Sequence, residues 1–168
     1  MIIIRKTAPT DLDTLMPIFE EARKTIAALG IDQWQKGYPS RPVIEEDIAK
    51  GISYVVLKDG EICGTFVLLC DGEPTYDKIY DGAWRTEQDY IAIHRVAIAV
   101  KHRGQGIAES MMAFAVAFAA EKERPSLRID THYGNAVMRR MLEKNGFVPC
   151  GTIFLLNGDK RIAYEKLI

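Results

Sequence analysis

Apolar and polar residues alternate in short blocks that predict seven strands and four helices. The predicted strands cover residues 2–6, 52–58, 61–70, 90–100, 127–131, 147–156 and 160–167. The predicted helices cover residues 10–30, 43–50, 105–121 and 135–145. This order combines hairpins with helical crossovers, so we expect an α/β fold. Its core is one mixed, mostly antiparallel central sheet of about seven strands, with helices on both faces in three layers.

Turn and cap residues support several of these boundaries. Asp59-Gly60 and Asn157-Gly158 each lie between two strand patterns and favour hairpin turns. Thr10 with Asp13 resembles a capping box at the start of the first helix, and Gly30 is expected to end that helix. Gly146 is expected to end the last helix in a left-handed conformation.

The longest apolar segments are predicted to lie deepest in the protein. The near-continuous apolar run 90–100 indicates a strand in the middle of the sheet, covered on both faces. The helix that follows it is apolar on almost every side and should be heavily buried. Residues 71–89 have no clean period and predict a long functional or mobile loop rather than a domain linker. We therefore expect one domain over residues 1–168.

Composition excludes several function classes. The net charge is −1, so no overall field favours nucleic acid or an anionic membrane as a partner. The three cysteines form no CxxC pair, which argues against a disulfide framework and against a zinc or other metal site. The N-terminus lacks the features of a leader, and no stretch is apolar enough to span a membrane. We expect a cytoplasmic protein.

The segment after the central strand contains the strongest chemical signal. Two glycines, Gly104 and Gly106, follow Arg103 and precede a helix. Free backbone amides at a helix N-terminus bind phosphate, and glycine lets the backbone approach the ligand. Gly-x-Gly alone fits a tight turn at least as well. The segment lacks the third glycine of a dinucleotide site and the Gly-Lys-Ser/Thr of a nucleoside triphosphatase.

Two motifs together resemble those of the GCN5-related N-acetyltransferase (GNAT) family. Residues 103–108 fit the pattern Arg/Gln-x-x-Gly-x-Gly/Ala at the end of an apolar central strand. A later helix pattern begins at Asn135 and ends in Gly146-Phe147. The order of elements agrees with that family over nearly the whole chain. The chain is identified as a small, bacterial-type, single-domain member.

This resemblance implies that acetyl-CoA binds where two central strands diverge. The backbone of three residues would pair with the pantetheine amides: Val96, Ala97 and Ile98. Six residues would hold the pyrophosphate: Arg103, Gly104, Gln105, Gly106, Ile107 and Ala108. The Asn135 side chain would contact the pantetheine arm, although an N-cap role without ligand contact is the alternative.

The family resemblance does not identify the group that moves protons. Many members have a tyrosine seven residues after the helix-initiating asparagine, where this chain has Leu142. His94 matches the position of a proton-relaying histidine in some members, and a hydrogen-bonded sheet histidine is the alternative. Tyr133 is the second catalytic candidate. His132, Cys150 and Tyr164 are weaker candidates, since packing or surface roles are more common for such residues.

The acceptor site is expected at the two places from which the family builds it. The first contains Trp34 and Tyr38, and Trp34 fits a core position equally well. The second is the loop 71–89. Its acidic residues are suited to a cationic amine, and a solvated loop is the simpler interpretation.

The leading hypothesis is an acetyl-CoA-dependent N-acetyltransferase acting on a primary amine of a small molecule or peptide by direct attack in a ternary complex. A non-catalytic acyl-CoA sensor and a protein N-terminal or lysine acetyltransferase are the alternatives. The resemblance also makes a homodimer an expected assembly.

Overall fold

The computed structural model describes residues 1–168 and contains seven strands and four helices. The strands are β1 Ile2–Lys6, β2 Ser53–Lys58, β3 Glu61–Leu69, β4 Ile91–Ile98, β5 Ser126–Thr131, β6 Val148–Phe154 and β7 Lys160–Leu167. The helices are α1 Leu12–Ala28, α2 Arg41–Ala49, α3 Ile107–Glu121 and α4 Ala136–Lys144. The predicted order of elements is confirmed. None of these helices combines the length and the apolar character that a membrane span requires.

The seven strands form one sheet in the order β1-β2-β3-β4-β5-β7-β6. β1 with β2, β2 with β3, β5 with β7 and β6 with β7 are antiparallel, whereas β4 and β5 are parallel. The α/β class and the mixed, mostly antiparallel sheet are therefore confirmed. β4 is the fourth of the seven strands, which confirms the central position that its apolar run predicts.

The chain forms two compact units. The first comprises Met1–Leu68 and His94–Phe114, and its core is built from α1, α2 and apolar residues of β2 and β4. The second comprises Leu69–Ile93 and Ala115–Ile168, and one of its apolar clusters centres on the buried Tyr76.

Most of the turn and cap predictions are confirmed. Asp59 and Gly60 both have positive φ, +50° and +84°, as a type I′ turn between β2 and β3 requires. Gly30 and Gly146 are left-handed at the ends of α1 and α4, with φ of +73° and +85°. The turn between β6 and β7 is longer than two residues and spans 155–159.

The capping box predicted for Thr10 and Asp13 is wrong. Thr10 lies in a 3-10 turn, Pro9–Asp11, and α1 begins only at Leu12. The Asp11 carboxylate accepts a hydrogen bond from the Ala8 amide at 2.7 Å and pairs with Arg5. The ion pair draws the carboxylate to the residues before the helix, so it does not cap α1.

The heavy burial predicted for α3 holds for one face of the helix only. One face is buried, with Ile107, Met111, Met112, Ala115 and Ala119. The opposite face exposes Glu109, Ala113, Ala117 and Ala120. Alanine exposes little apolar area, so an alanine-rich face can remain in water at small cost.

Candidate active site

The turn between β4 and α3 has an open backbone. Gly104 and Gly106 have φ of +72° and +80°, and a Cβ added at either would meet no heavy atom within 4 Å. The amides of residues 104–108 donate to no acceptor within the protein. Because α3 begins at Ile107, its dipole adds positive charge at the same point. The turn therefore meets the requirements of a phosphate-binding loop.

The charged side chains at this turn differ in availability. The Lys58 ammonium donates to Gln105 Oε1 at 2.5 Å, and Lys101 forms an ion pair with Glu61. Arg103 is exposed and takes part in no ion pair. Of these three cations, Arg103 is the one whose charge no protein group already engages.

β4 departs from regular strand geometry at Arg95. Its φ is +50°, a conformation that costs a side chain other than glycine about 1–3 kcal/mol. Arg95 Nε and Nη2 donate to the two carboxylate oxygens of Asp47 at 2.6 and 2.7 Å. Arg95 Nη1 donates to the Tyr38 hydroxyl at 2.7 Å. Burial by itself lowers the pKa of the guanidinium, but the hydrogen bonds to Asp47 and Tyr38 outweigh it and raise that pKa.

The parallel pairing of β4 with β5 is short. It consists of Ile91 with Leu127 and Ala92 with Arg128, although β4 continues to Ile98. The residues Val96 to Ile98 therefore lie beyond the last of these pairs. Their role in binding an acyl donor remains a prediction.

Asn135 is the N-cap of α4. Its side-chain oxygen accepts a hydrogen bond from the Met138 amide at 3.2 Å, and the residue is buried. The capping alternative is thus confirmed. A ligand contact from the same side chain remains a prediction, since the two roles are compatible.

The two predicted catalytic side chains have different surroundings. His94 is half-buried in β4, directly before the left-handed Arg95. Tyr133 is 37% exposed, and its hydroxyl is hydrogen-bonded to Thr152 Oγ1. The Lys160 ammonium lies 5.0 Å from the centre of the Tyr133 ring. The Tyr133 hydroxyl therefore has one hydrogen-bond partner in the protein, and either oxygen of this pair can be the donor.

The weaker candidates are held by other groups. The Tyr164 hydroxyl lies 3.1 Å from both Arg139 Nε and Glu143 Oε1, and burial raises its pKa. Burial also raises the pKa of the Cys150 thiol, which keeps it protonated. His132 Nδ1 accepts a hydrogen bond from the Gly134 amide at 2.9 Å. These contacts are those of structural residues.

Trp34 and Tyr38 form an aromatic pair, with ring centroids 6.4 Å apart. Trp34 also lies 5.9 Å from Phe19 and packs against the core of the first unit. Tyr38 is 39% exposed. The packing of Trp34 agrees with its core interpretation, and Tyr38 is the member of the pair with the more exposed ring.

The loop 71–89 is well anchored within the second unit. The Arg128 guanidinium lies between the rings of Trp84 and Tyr90, 4.2 Å from each centroid. It also donates to the Thr86 carbonyl at 2.5 Å. Five of the loop's six acidic residues are exposed: Asp71, Asp77, Asp81, Glu87 and Asp89. This exposure agrees with the simpler interpretation of a solvated acidic loop.

Comparison with known proteins identifies the family of this chain. The sequence profile described as Acetyltransferase (GNAT) family matches residues 16–147. The chain belongs to the GNAT acetyltransferase family. As a member it is an acetyltransferase, and acetyl-CoA is its cosubstrate.

Solved structures agree with this acetyltransferase over its whole length. A GNAT family acetyltransferase from Streptococcus agalactiae 2603 is 37% identical, with a TM-score of 0.89, covering 99% of this chain and 95% of that one. A GNAT family acetyltransferase from Listeria monocytogenes 4b F2365 is 20% identical, with a TM-score of 0.74 and coverage of 99% and 95%. The PaiA N-acetyltransferase of Thermoplasma acidophilum, solved in complex with coenzyme A, is 18% identical, with a TM-score of 0.77 and coverage of 100% and 99%. The last two share only the fold with this chain. No curated protein matches the chain.

At the position where many acetyltransferases of this family have a tyrosine, Leu142 is fully buried. A polar side chain at this position would lie inside the apolar core rather than at a surface. The usual tyrosine hydroxyl is therefore absent from this position of the protein.

Sequence reasoning missed the Arg95–Asp47 pair. A signal was present, because an arginine inside an apolar strand pattern must find a partner when it is buried. The sequence does not indicate which acidic residue that partner is. Asp47 lies 48 positions earlier, on α2.

Proposed function

We propose that this acetyltransferase transfers the acetyl group of acetyl-CoA to a primary amine of a small molecule or peptide, by direct attack in a ternary complex. The observation that supports it best is the row of free amides at residues 104–108. We also propose that residues 1–168 act as one acetyltransferase domain. The S. agalactiae structure supports this, since it matches 99% of the chain and is itself matched over 95% of its length.

The proposed cofactor site begins with the diphosphate. The amides of residues 104–108 donate to its oxygens, and Arg103 supplies the positive charge that is free at this turn. The backbone of Val96, Ala97 and Ile98 pairs with the pantetheine amides. Asn135 contacts the pantetheine arm while it caps α4. Bound acetyl-CoA supplies the activated acyl group as a thioester.

The reaction also requires the removal of one proton from the acceptor amine. An ammonium cannot attack, so the acceptor amine must lose a proton before or during the attack. His94 is the proposed relay, because it lies on β4 two residues before Val96. Tyr133 is the second candidate, and its hydroxyl is hydrogen-bonded to Thr152.

The proposed acceptor surface includes Tyr38 and, behind it, Trp34. Tyr38 presents its exposed ring, while Trp34 holds that ring from the core side. Aromatic faces attract cations, and a protonated amine is one. The pair therefore suits initial capture of the acceptor.

Thiol release from acetyl-CoA tests the proposed function. The protein is incubated with acetyl-CoA and a panel of polyamines, aminoglycosides, amino acids and peptides, and free thiol is followed against acetyl-CoA alone. We expect release with at least one primary amine, and the acetylated product in its mass spectrum. Acetylation of peptides alone would select the protein-directed alternative. CoA binding without release for any amine would contradict the proposal and favour the sensor.

Substituting His94 tests the relay. We expect His94→Ala to lower turnover about tenfold to a hundredfold and to change the pH profile of turnover, since general base catalysis contributes at least this much. Affinity for CoA, measured by calorimetry, should change little. Lys122→Ala, at an exposed position after α3, is the control and should keep the wild-type profile. An unaltered profile in His94→Ala would exclude His94 from proton transfer.

A further inference from the structure

We propose that Arg95 is a positioning residue, and that its bonds to Asp47 and Tyr38 hold β4 in the bent form that the acyl donor requires. This inference rests on the proposed function. It concerns the first unit alone, which contains all three residues.

The backbone of β4 is left-handed at one residue. Arg95 lies inside the strand, yet its φ of +50° belongs to the left-handed region that favours glycine. A single left-handed residue in a strand is typical of a bulge, which re-aims the neighbouring groups and ends regular pairing. The next three residues are Val96, Ala97 and Ile98, whose backbone is proposed to bind pantetheine.

Hydrogen bonds from the Arg95 side chain hold that conformation. Three donors of one guanidinium are engaged, two by Asp47 and one by Tyr38, at 2.6 to 2.7 Å. The side chains of Arg95 and Asp47 are only 14% and 6% exposed. Removing two charges from water is costly, so a buried pair is a poor choice if stability is its only role. A planar guanidinium held at both edges does, however, define one side-chain orientation and hence one backbone geometry.

The Arg95–Asp47 pair is also connected, through Tyr38, to the proposed acceptor surface. Tyr38 belongs to the segment 31–40, which Arg23 fixes to α1 through the Pro39 carbonyl at 2.9 Å. The Arg95 guanidinium therefore joins α2, the segment 31–40 and β4. It thereby connects β4, which is proposed to bind the cofactor, with the segment that contains the proposed acceptor surface.

A comparison of Arg95→Ala with Arg95→Gly tests the inference. Both variants remove all three bonds and leave Asp47 equally unpaired, and they differ by one methyl group. Glycine adopts positive φ readily, whereas alanine favours a regular strand, so only a fraction of Arg95→Ala molecules would be competent to bind. By calorimetry we expect Arg95→Ala to bind CoA about tenfold or more weakly than wild type, and Arg95→Gly to recover most of that loss.

Other results of this comparison would contradict either the inference or the proposed function. Wild-type affinity in Arg95→Ala, or equal loss in both variants, would overturn the inference. Absence of CoA binding by the wild-type protein would instead contradict the proposed function. If Arg95→Ala fails to fold, Asp47→Asn takes its place: we expect weaker CoA binding from it, and unchanged affinity would overturn the inference.

A matched control lies in the same unit. Arg5 also makes a bidentate bond to an aspartate, Asp11, with distances of 2.7 and 3.1 Å, but it is on β1. Its φ is not left-handed. Arg5→Ala should leave CoA affinity at the wild-type value, so a loss there equal to that of Arg95→Ala would also overturn the inference.

Discussion

Replacing Gly106 by tryptophan should lower affinity for CoA more than a hundredfold. The φ of Gly106 is +80°, so any Cβ strains the turn, and the indole fills the open space in front of the amides. A hydrogen bond to a charged group contributes about 1.5–3 kcal/mol, so losing two amide–phosphate bonds weakens binding by about a hundredfold or more. Isothermal titration calorimetry with CoA measures the change directly.

Gly158 offers the matched control for this experiment. It also has positive φ, +89°, and open space around its missing Cβ, but it lies at the turn between β6 and β7. Gly158→Trp should suffer similar backbone strain and bind CoA like wild type. Acetyl-CoA should raise the melting temperature of wild type and Gly158→Trp but not that of Gly106→Trp. Equal CoA affinity in both variants would rule out the turn as the diphosphate site.

Replacing Arg128 by methionine should lower the free energy of unfolding by about 3–5 kcal/mol. Arg128 Nε donates to Glu165 Oε2 at 2.8 Å, and both side chains are almost completely buried. The substitution leaves the Glu165 carboxylate without its cation, and also removes the guanidinium from between Trp84 and Tyr90. Urea denaturation gives the magnitude, which is a large share of the ordinary stability of a domain.

Two further variants identify the cause of that loss. Arg128→Met combined with Glu165→Leu should regain part of the stability, because the unpaired buried charge is then gone. Lys50→Met breaks an exposed pair with Glu46 and should change the free energy of unfolding by less than about 1 kcal/mol. If the double variant is no more stable than Arg128→Met, stacking on the two rings is the main contribution of Arg128 rather than charge pairing.

Local patterns predicted much of this acetyltransferase correctly. The turn at Asp59-Gly60 and the left-handed caps at Gly30 and Gly146 follow from backbone preferences that depend on a few neighbouring residues. The central position of β4 follows from its apolar run, since only a strand covered on both faces tolerates one. The open glycine turn before α3 is a local feature of the same kind.

The failed predictions have a common origin. Thr10 lies in the 3-10 turn before α1, and Asp11, which directly precedes the helix, does not cap it because Arg5, on β1, holds its carboxylate in an ion pair. The alanine-rich face of α3 is exposed because burial depends on what packs nearby as well as on polarity. Each outcome depends on residues outside the segment used for the prediction.

The order of elements, the position of the central strand and the open glycine turn before α3 were readable from the chain, because hydrogen-bonding and steric preferences act over a few residues. The bent conformation of β4 was not, because it depends on Arg95 meeting Asp47 from α2 and Tyr38 from the segment 31–40. Folding brings those three side chains together from distant positions. A buried guanidinium binds whichever carboxylate the packing places beside it, and the packing of the whole unit decides which one that is.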